Sequence, residues 1–188
     1  MSSPDKTSLQ TGPLEIRNSV KTALYALRCF AELSLAEMTP PQTLRPASLE
    51  ISLVRDVESA LDCTLPDEVL ACLANNDGFL DEYGFDLGMI VDNTELARSQ
   101  GLDHDSIAVG AHPDGHAYYC VRRQGQRKRS VFLSEVSNFG GGSAGYDLAE
   151  WLAEHVERQQ EFAEEDYPDF TGPDPTLQAN FAPSLVDE

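Results

Sequence analysis

The run LDCTLPDEVLACLANNDGF, residues 61–79, decides how the rest of the chain is read. One apolar helical pattern ends in it at Leu61, and another begins after the Leu65–Pro66 step. Upstream, Ile51, Val54, Val57 and Leu61 recur at the spacing of one helix face. Pro66 lacks an N–H that a first-turn residue leaves unbonded anyway, so it suits a helix start. Asp67 and Glu68 follow, where the positive helix end favours acids. Val69, Leu70 and Leu73 form the inner face of this helix. The run Asn75-Asn76-Asp77-Gly78 stops it, because Gly takes the left-handed cap conformation at little cost. Leu61, Leu65, Val69 and Leu73 are expected in the core. Asp77, Gly78, Asp81, Glu82 and Asp86 are expected on an exposed segment.

Upstream of this run, apolar residues recur at helical spacing from Leu14 to Met38, through Val20, Leu24, Leu27 and Phe30. A connector with three prolines, TPPQTLRPAS at 39–48, separates that helix from the next. Downstream the pattern changes to short strands. FDLGMIV (85–91) and SIAVGA (106–111) read as β, with a short helix from about Asn93 to Ser99 between them. HPDG at 112–115 is turn chemistry. HAYYCVRR and SVFL read as a hairpin pair joined by QGQRKR. The glycine run FGGGSAG reads as a flexible approach to a last helix, in which Leu148, Leu152 and Val156 repeat beside Trp151 and His155. After about Gln160 the chain turns acidic and proline-containing, and reads as a solvated tail. Helices first, then strands, then a closing helix predict an α+β fold rather than alternating βαβ units. The expected division is an N-terminal lead, helix and connector (1–46), a central domain (47–160) and a tail (161–188).

Charge narrows the function classes. The 188 residues carry 32 acids against 13 bases, a net charge of −19. Such a chain repels nucleic acid and anionic membrane, and it attracts and steers basic proteins. The same acidity also serves solubility alone. The four cysteines, Cys29, Cys63, Cys72 and Cys120, form no C-x-x-C pair, which fits buried free thiols in a reducing compartment. The first residues carry no apolar signal core, and no run approaches the ~20 apolar residues that span a bilayer. A cytoplasmic location is expected.

The stretch ISLVRDVESALDCTLPDEVLACLANNDG resembles the opening of the SUKH superfamily, the Smi/Knr-like proteins. SIAVGAHPDGHAYYCVRR is similar to that family's strand, Gly, turn and strand. SVFLSEV is similar to its next strand, and YDLAEWLAEHV to its terminal helix. The resemblance covers roughly residues 47–158 in the family's order of elements. Asp62 stands where the family usually has Gly, and no aromatic residue directly follows Pro66-Asp67-Glu68. The first helix and the acidic end lie outside the pattern. The resemblance implies a mixed or antiparallel sheet flanked by helices, with an N-terminal helical extension. It also implies a role in binding rather than catalysis. Many bacterial members are immunity proteins that neutralise a cognate toxin, often a nuclease, and others are intracellular interaction proteins.

Candidate residues follow from the acids at 56–105. A nuclease must carry a basic groove for its substrate, and an acidic protein can cover that groove. Asp77, Asp81, Glu82, Asp86, Asp92 and Glu95 are the expected partner-binding acids. Phe79, Tyr83 and Phe85 are the aromatic anchors that such interfaces favour. The plainer reading is a solvated loop whose aromatics turn inward. Arg122, Arg123, Arg127, Lys128 and Arg129 form a basic hairpin that protects strand edges or folds against the acidic end. His104, His112 and His116 lie near Asp103, Asp105 and Asp114. However, the His112–His116 spacing falls in a turn, not on a helix face, so neither a metal nor a catalytic site is expected. The glycine run lacks the Lys-Ser/Thr of a P-loop, and no G-x-S-x-G occurs. No cofactor is expected. The expected function is toxin neutralisation by a non-enzyme whose partner is a basic protein, neither nucleic acid nor membrane. The alternative is a regulatory scaffold docking through Val20, Leu24, Leu27 and Phe30.

Overall fold

The computed structural model describes residues 9–35, 47–75, 80, 83–113, 117–122, 132–135, 143–145 and 147–187, with the backbone alone at 34–35, 132–135 and 143–145. Its elements run β1 (Gly12–Pro13), α1 (Asn18–Leu35), β2 (Ser48–Glu50), α2 (Ile51–Leu61) and α3 (Asp67–Ala74). A 3-10 turn (Leu87–Met89) then leads into α4 (Ile90–Ser99), followed by β3 (Ser106–Ala111), β4 (Ala117–Arg122), β5 (Phe132–Glu135) and β6 (Ser143–Gly145). Last come α5 (Leu148–Asp166), α6 (Pro175–Gln178) and β7 (Ser184–Val186). The fold is α+β, with one antiparallel sheet ordered β3-β4-β5-β6 and one mixed sheet ordered β1-β7-β2.

The helical corner forms as its sequence dictates. Ile51, Val54, Val57 and Leu61 are the buried face of α2. Asp62 closes that helix in the left-handed conformation (φ 46°), the role that Gly plays more cheaply. The Glu58 carboxylate accepts the Leu65 N–H at 2.8 Å and fixes the approach to α3. Pro66 is extended just before the first residue of α3, and Glu68 to Ala74 are all buried.

The first helix is not an extension. It begins at Asn18 rather than Leu14, because Leu14 continues the strand pairing and donates its N–H to the Pro183 carbonyl at 2.9 Å. From Ala23 to Phe30 every residue is buried, Arg28 included, so this stretch of α1 is packed nearly all round and forms the centre of the core. The face expected to dock a partner is consumed internally. α1 lies beside α5 in the same direction: Arg17 meets Asp147 at one end, while Ala26, Phe30 and Leu33 meet Ala163 at the other.

Residues 161–188 are not a solvated tail. α5 runs on to Asp166, and the chain beyond it folds back over α1. Phe170 packs on Phe30 with ring centroids 5.8 Å apart, the Tyr25 hydroxyl donates to the Asp174 carbonyl, and Gln178 donates to the Thr22 hydroxyl at 2.6 Å. Phe181 and Leu185 enter the core, and β7 pairs antiparallel to β1 and parallel to β2. The expected boundary at residue 160 therefore falls inside a helix. The boundary at 46 divides α1 from the sheet and helices that it packs against.

Two strand assignments also change. FDLGMIV is a 3-10 turn running into α4, not a strand. Its apolar run is short enough to fit either period, and Asp86 decides it by accepting the Gly88 N–H at 2.8 Å as a helix cap. The glycine run contributes β6, which pairs with β5 through Ser143–Gly145.

Candidate interaction surface

β3 anchors the region that follows α3. Ala111 donates its N–H to the Tyr83 carbonyl at 2.8 Å, so residues 83–85 lie along the edge of β3. Gly110 makes that approach possible: a Cβ there would stand 2.7 Å from the Tyr83 carbonyl oxygen and 2.8 Å from the Phe85 ring. Gly84 turns the segment with φ +60°.

This strap places the expected aromatics. Phe85 is fully buried, with ring centroids 5.7 Å from Tyr119 and 5.8 Å from Trp151. It is core, not a surface anchor. Tyr83 is half-buried and central, its ring 5.9 Å from His112, 5.7 Å from Tyr119, 5.7 Å from Trp151 and stacked at 5.3 Å on His155. The plainer expectation, that these aromatics turn inward, therefore describes both residues. Burial, with a smaller contribution from the Arg158 charge, lowers His155 to about 4, so its imidazole is neutral at physiological pH.

The acids divide in three. Asp77, Phe79, Asp81 and Glu82 lie outside the described residues. Asp86 is half-buried and occupied as the cap of the 3-10 turn. Asp92 and Glu95 are exposed on α4, and the structure brings them together on one helix. Alongside them stand two large exposed apolar side chains, Met89 at 46% exposure, which the strand reading hid, and Leu96 at 52%, within the expected helix. The signal that reveals them is helical phase, since Met89 and Leu96 are seven residues apart and share a face. Arg98, the one base of α4, turns away and donates to the His104 and Ser106 carbonyls at 3.1 and 3.4 Å.

A second acidic face lies on α5, where Glu150, Glu154, Glu157, Glu161, Glu164, Glu165 and Asp166 are exposed with Arg158 among them. Of the basic hairpin, Arg122 alone is described. Its guanidinium donates to Asp103 at 2.7 Å and to the Ser106 hydroxyl at 3.3 Å. The Asp103 carboxylate is held below its usual range by the Asp105 N–H and by Arg122.

Burial raises the thiols of Cys29, Cys72 and Cys120, the last to about 12, so they stay protonated and poorly nucleophilic. His104 is exposed, His112 packs edge-on against Tyr83, and His116 and Asp114 lie outside the described residues. No group of three or more His, Cys, Asp or Glu side chains gathers to hold a metal among the described residues. In the same set no helix is long and apolar enough to cross a membrane. No family model, no curated protein and no solved structure matches this chain.

Proposed function

We propose that this chain is a non-catalytic binding protein of the SUKH type, an intracellular immunity protein that neutralises a basic protein toxin by covering its substrate face. The observation that carries the reading is the pair of exposed carboxylates on α4, Asp92 and Glu95, in a chain of net charge −19. A toxin that grips nucleic acid must present clustered Lys and Arg, and such a surface is drawn to this chain and occluded by it. The resemblance of residues 47–158 to SUKH proteins supports the same reading. The scaffold alternative needs the apolar face of α1, and Val20, Leu24, Leu27 and Phe30 are buried in this chain's own core.

The test is affinity capture from the native cell extract at low and at high salt, followed by expression of the captured protein alone and together with this chain. One basic partner, bound stoichiometrically, toxic alone and harmless in company, is the expected result. Capture of an acidic or housekeeping assembly whose expression is harmless overturns the proposal.

A further inference from the structure

We infer that the outward face of α4 together with its N-cap residue, formed by Met89, Asp92, Glu95 and Leu96, is the docking face for a basic amphipathic helix of a protein partner. The inference rests on the preceding reading of the chain as a binder of basic proteins, and it names the surface and the shape of what is bound.

Four observations support it. Met89 ends the 3-10 turn and caps α4, and Leu96 follows it by seven residues, about two helical turns along the same helical run. Both are about half exposed, whereas the opposite face of α4, with Ile90, Thr94 and Ala97, is buried against β3 and the core. Asp92 and Glu95 flank the apolar line on one side and form no ion pair with another described residue. The helix's own base, Arg98, is committed to backbone carbonyls of the β3 approach and does not neutralise them.

The chemistry of the occupant follows from charge and spacing. An apolar pair at i and i+7 matches the anchors of a helix laid along it. Met adds an adaptable surface that accommodates varied partners. The flanking carboxylates select Lys or Arg on the partner's polar edge and disfavour acids there. An anionic membrane or nucleic acid is repelled by the same acids. The exposed face of α5 is acidic too, but its one large exposed apolar residue is Phe162, next to which no second anchor stands at helical spacing.

The test uses the full chain and two synthetic peptides of roughly 18 residues, long enough to form a helix on binding. One has Leu and Lys spaced to give an apolar face; the other has the same composition scrambled. Binding is followed by titration and by backbone amide shifts in the spectrum of the labelled protein. The expected result is tighter binding of the amphipathic peptide, with shifts concentrated on residues 89–99. Met89→Ser with Leu96→Ser should weaken it about tenfold, to the level of the scrambled peptide. Asp92→Lys with Glu95→Lys should remove most of its salt dependence. Leu96→Ser alone is the second variant should the pair lose the fold, as judged by its unfolding transition. Equal affinity of the wild type and the serine variants, with shifts centred on α5, overturns the inference while leaving the cationic-partner reading in place. Failure of both peptides to bind at low salt overturns that reading as well.

Discussion

The Arg17 guanidinium grips the Glu68 carboxylate from two sides, Nε on Oε1 at 2.6 Å and one terminal nitrogen on Oε2 at 2.8 Å, across 51 residues of sequence. Its other terminal nitrogen reaches Asp147 at 2.7 Å. One side chain thus ties the starts of α1, α3 and α5, and Arg17 in return holds the Asp147 carboxylate below its ordinary range. Glu68 is 2% exposed, so the pair is anchored at its buried end and open to water at the arginine. Arg17→Ala should cost about 3 kcal/mol in urea unfolding, because it strands a buried carboxylate. Arg17→Met with Glu68→Leu should recover most of that loss, which a purely steric role of Arg17 would not allow.

Gly110 separates β3 from the strap that carries Tyr83 and Phe85. Gly110→Ala should destabilise the chain by about 1–3 kcal/mol, since backbone and a packed ring must both move. Near-ultraviolet circular dichroism of the Tyr83–Trp151 cluster is the companion measurement. An unchanged spectrum with full stability would refute the close approach.

The buried imidazole of His155 makes stability depend on pH in a stated direction. Its folded value, about 4, lies below the ordinary 6.5, so between those limits the unfolded chain binds the extra proton. Stability contributed by the neutral ring is complete above about 6.5 and is lost as the pH falls toward 4, to a total of about 3 kcal/mol. His155→Phe should flatten the unfolding free energy across that window. Asp147 and Asp103, both held low, contribute a separate loss at more acidic pH that the variant retains.

Phe181 and Leu185 are 6% and 3% exposed. Each alanine substitution should cost about 2–5 kcal/mol. Removal of residues 175–188 should abolish cooperative unfolding altogether, because it takes away the central strand of the β1-β7-β2 sheet. A truncated chain that unfolds like the full one would restore the tail reading.

Where structure is local and strongly patterned, the sequence announces it. The α2 stripe, the Pro66-Asp67-Glu68 start and the β4–β5 hairpin are read from neighbours in sequence, and they stand where expected. Long-range closure leaves no such trace. Phe170, Leu177, Phe181 and Leu185 are sparse apolar residues among acids and prolines, and only α1 and the strands far upstream give them a place to go. Residues 85–91 read as a strand because a short apolar run fits either period; the sign that favours the helical turn is Asp86 as a cap. Of the expected site, Asp92 and Glu95 are legible as acids and Leu96 falls in the expected helix, but Met89, read as strand, joins them only because the 3-10 turn runs on into α4. The role of Arg17 had no signal, since a lone arginine before a helix says nothing of its partners.

The position of β7 sets an order of events during synthesis. Strands β3 to β6 come from residues 106–145 and meet as successive antiparallel neighbours, so they can assemble early and quickly. The β1-β7-β2 sheet joins residues 12–13, 48–50 and 184–186, and it cannot close until the last of these has left the ribosome. Until then β1 and β2 lack the strand that lies between them, and the site for Leu185 is unfilled. Until residues 184–186 emerge the growing chain therefore carries two open edges and an apolar gap, the features that chaperones bind and that seed aggregation when they go unattended.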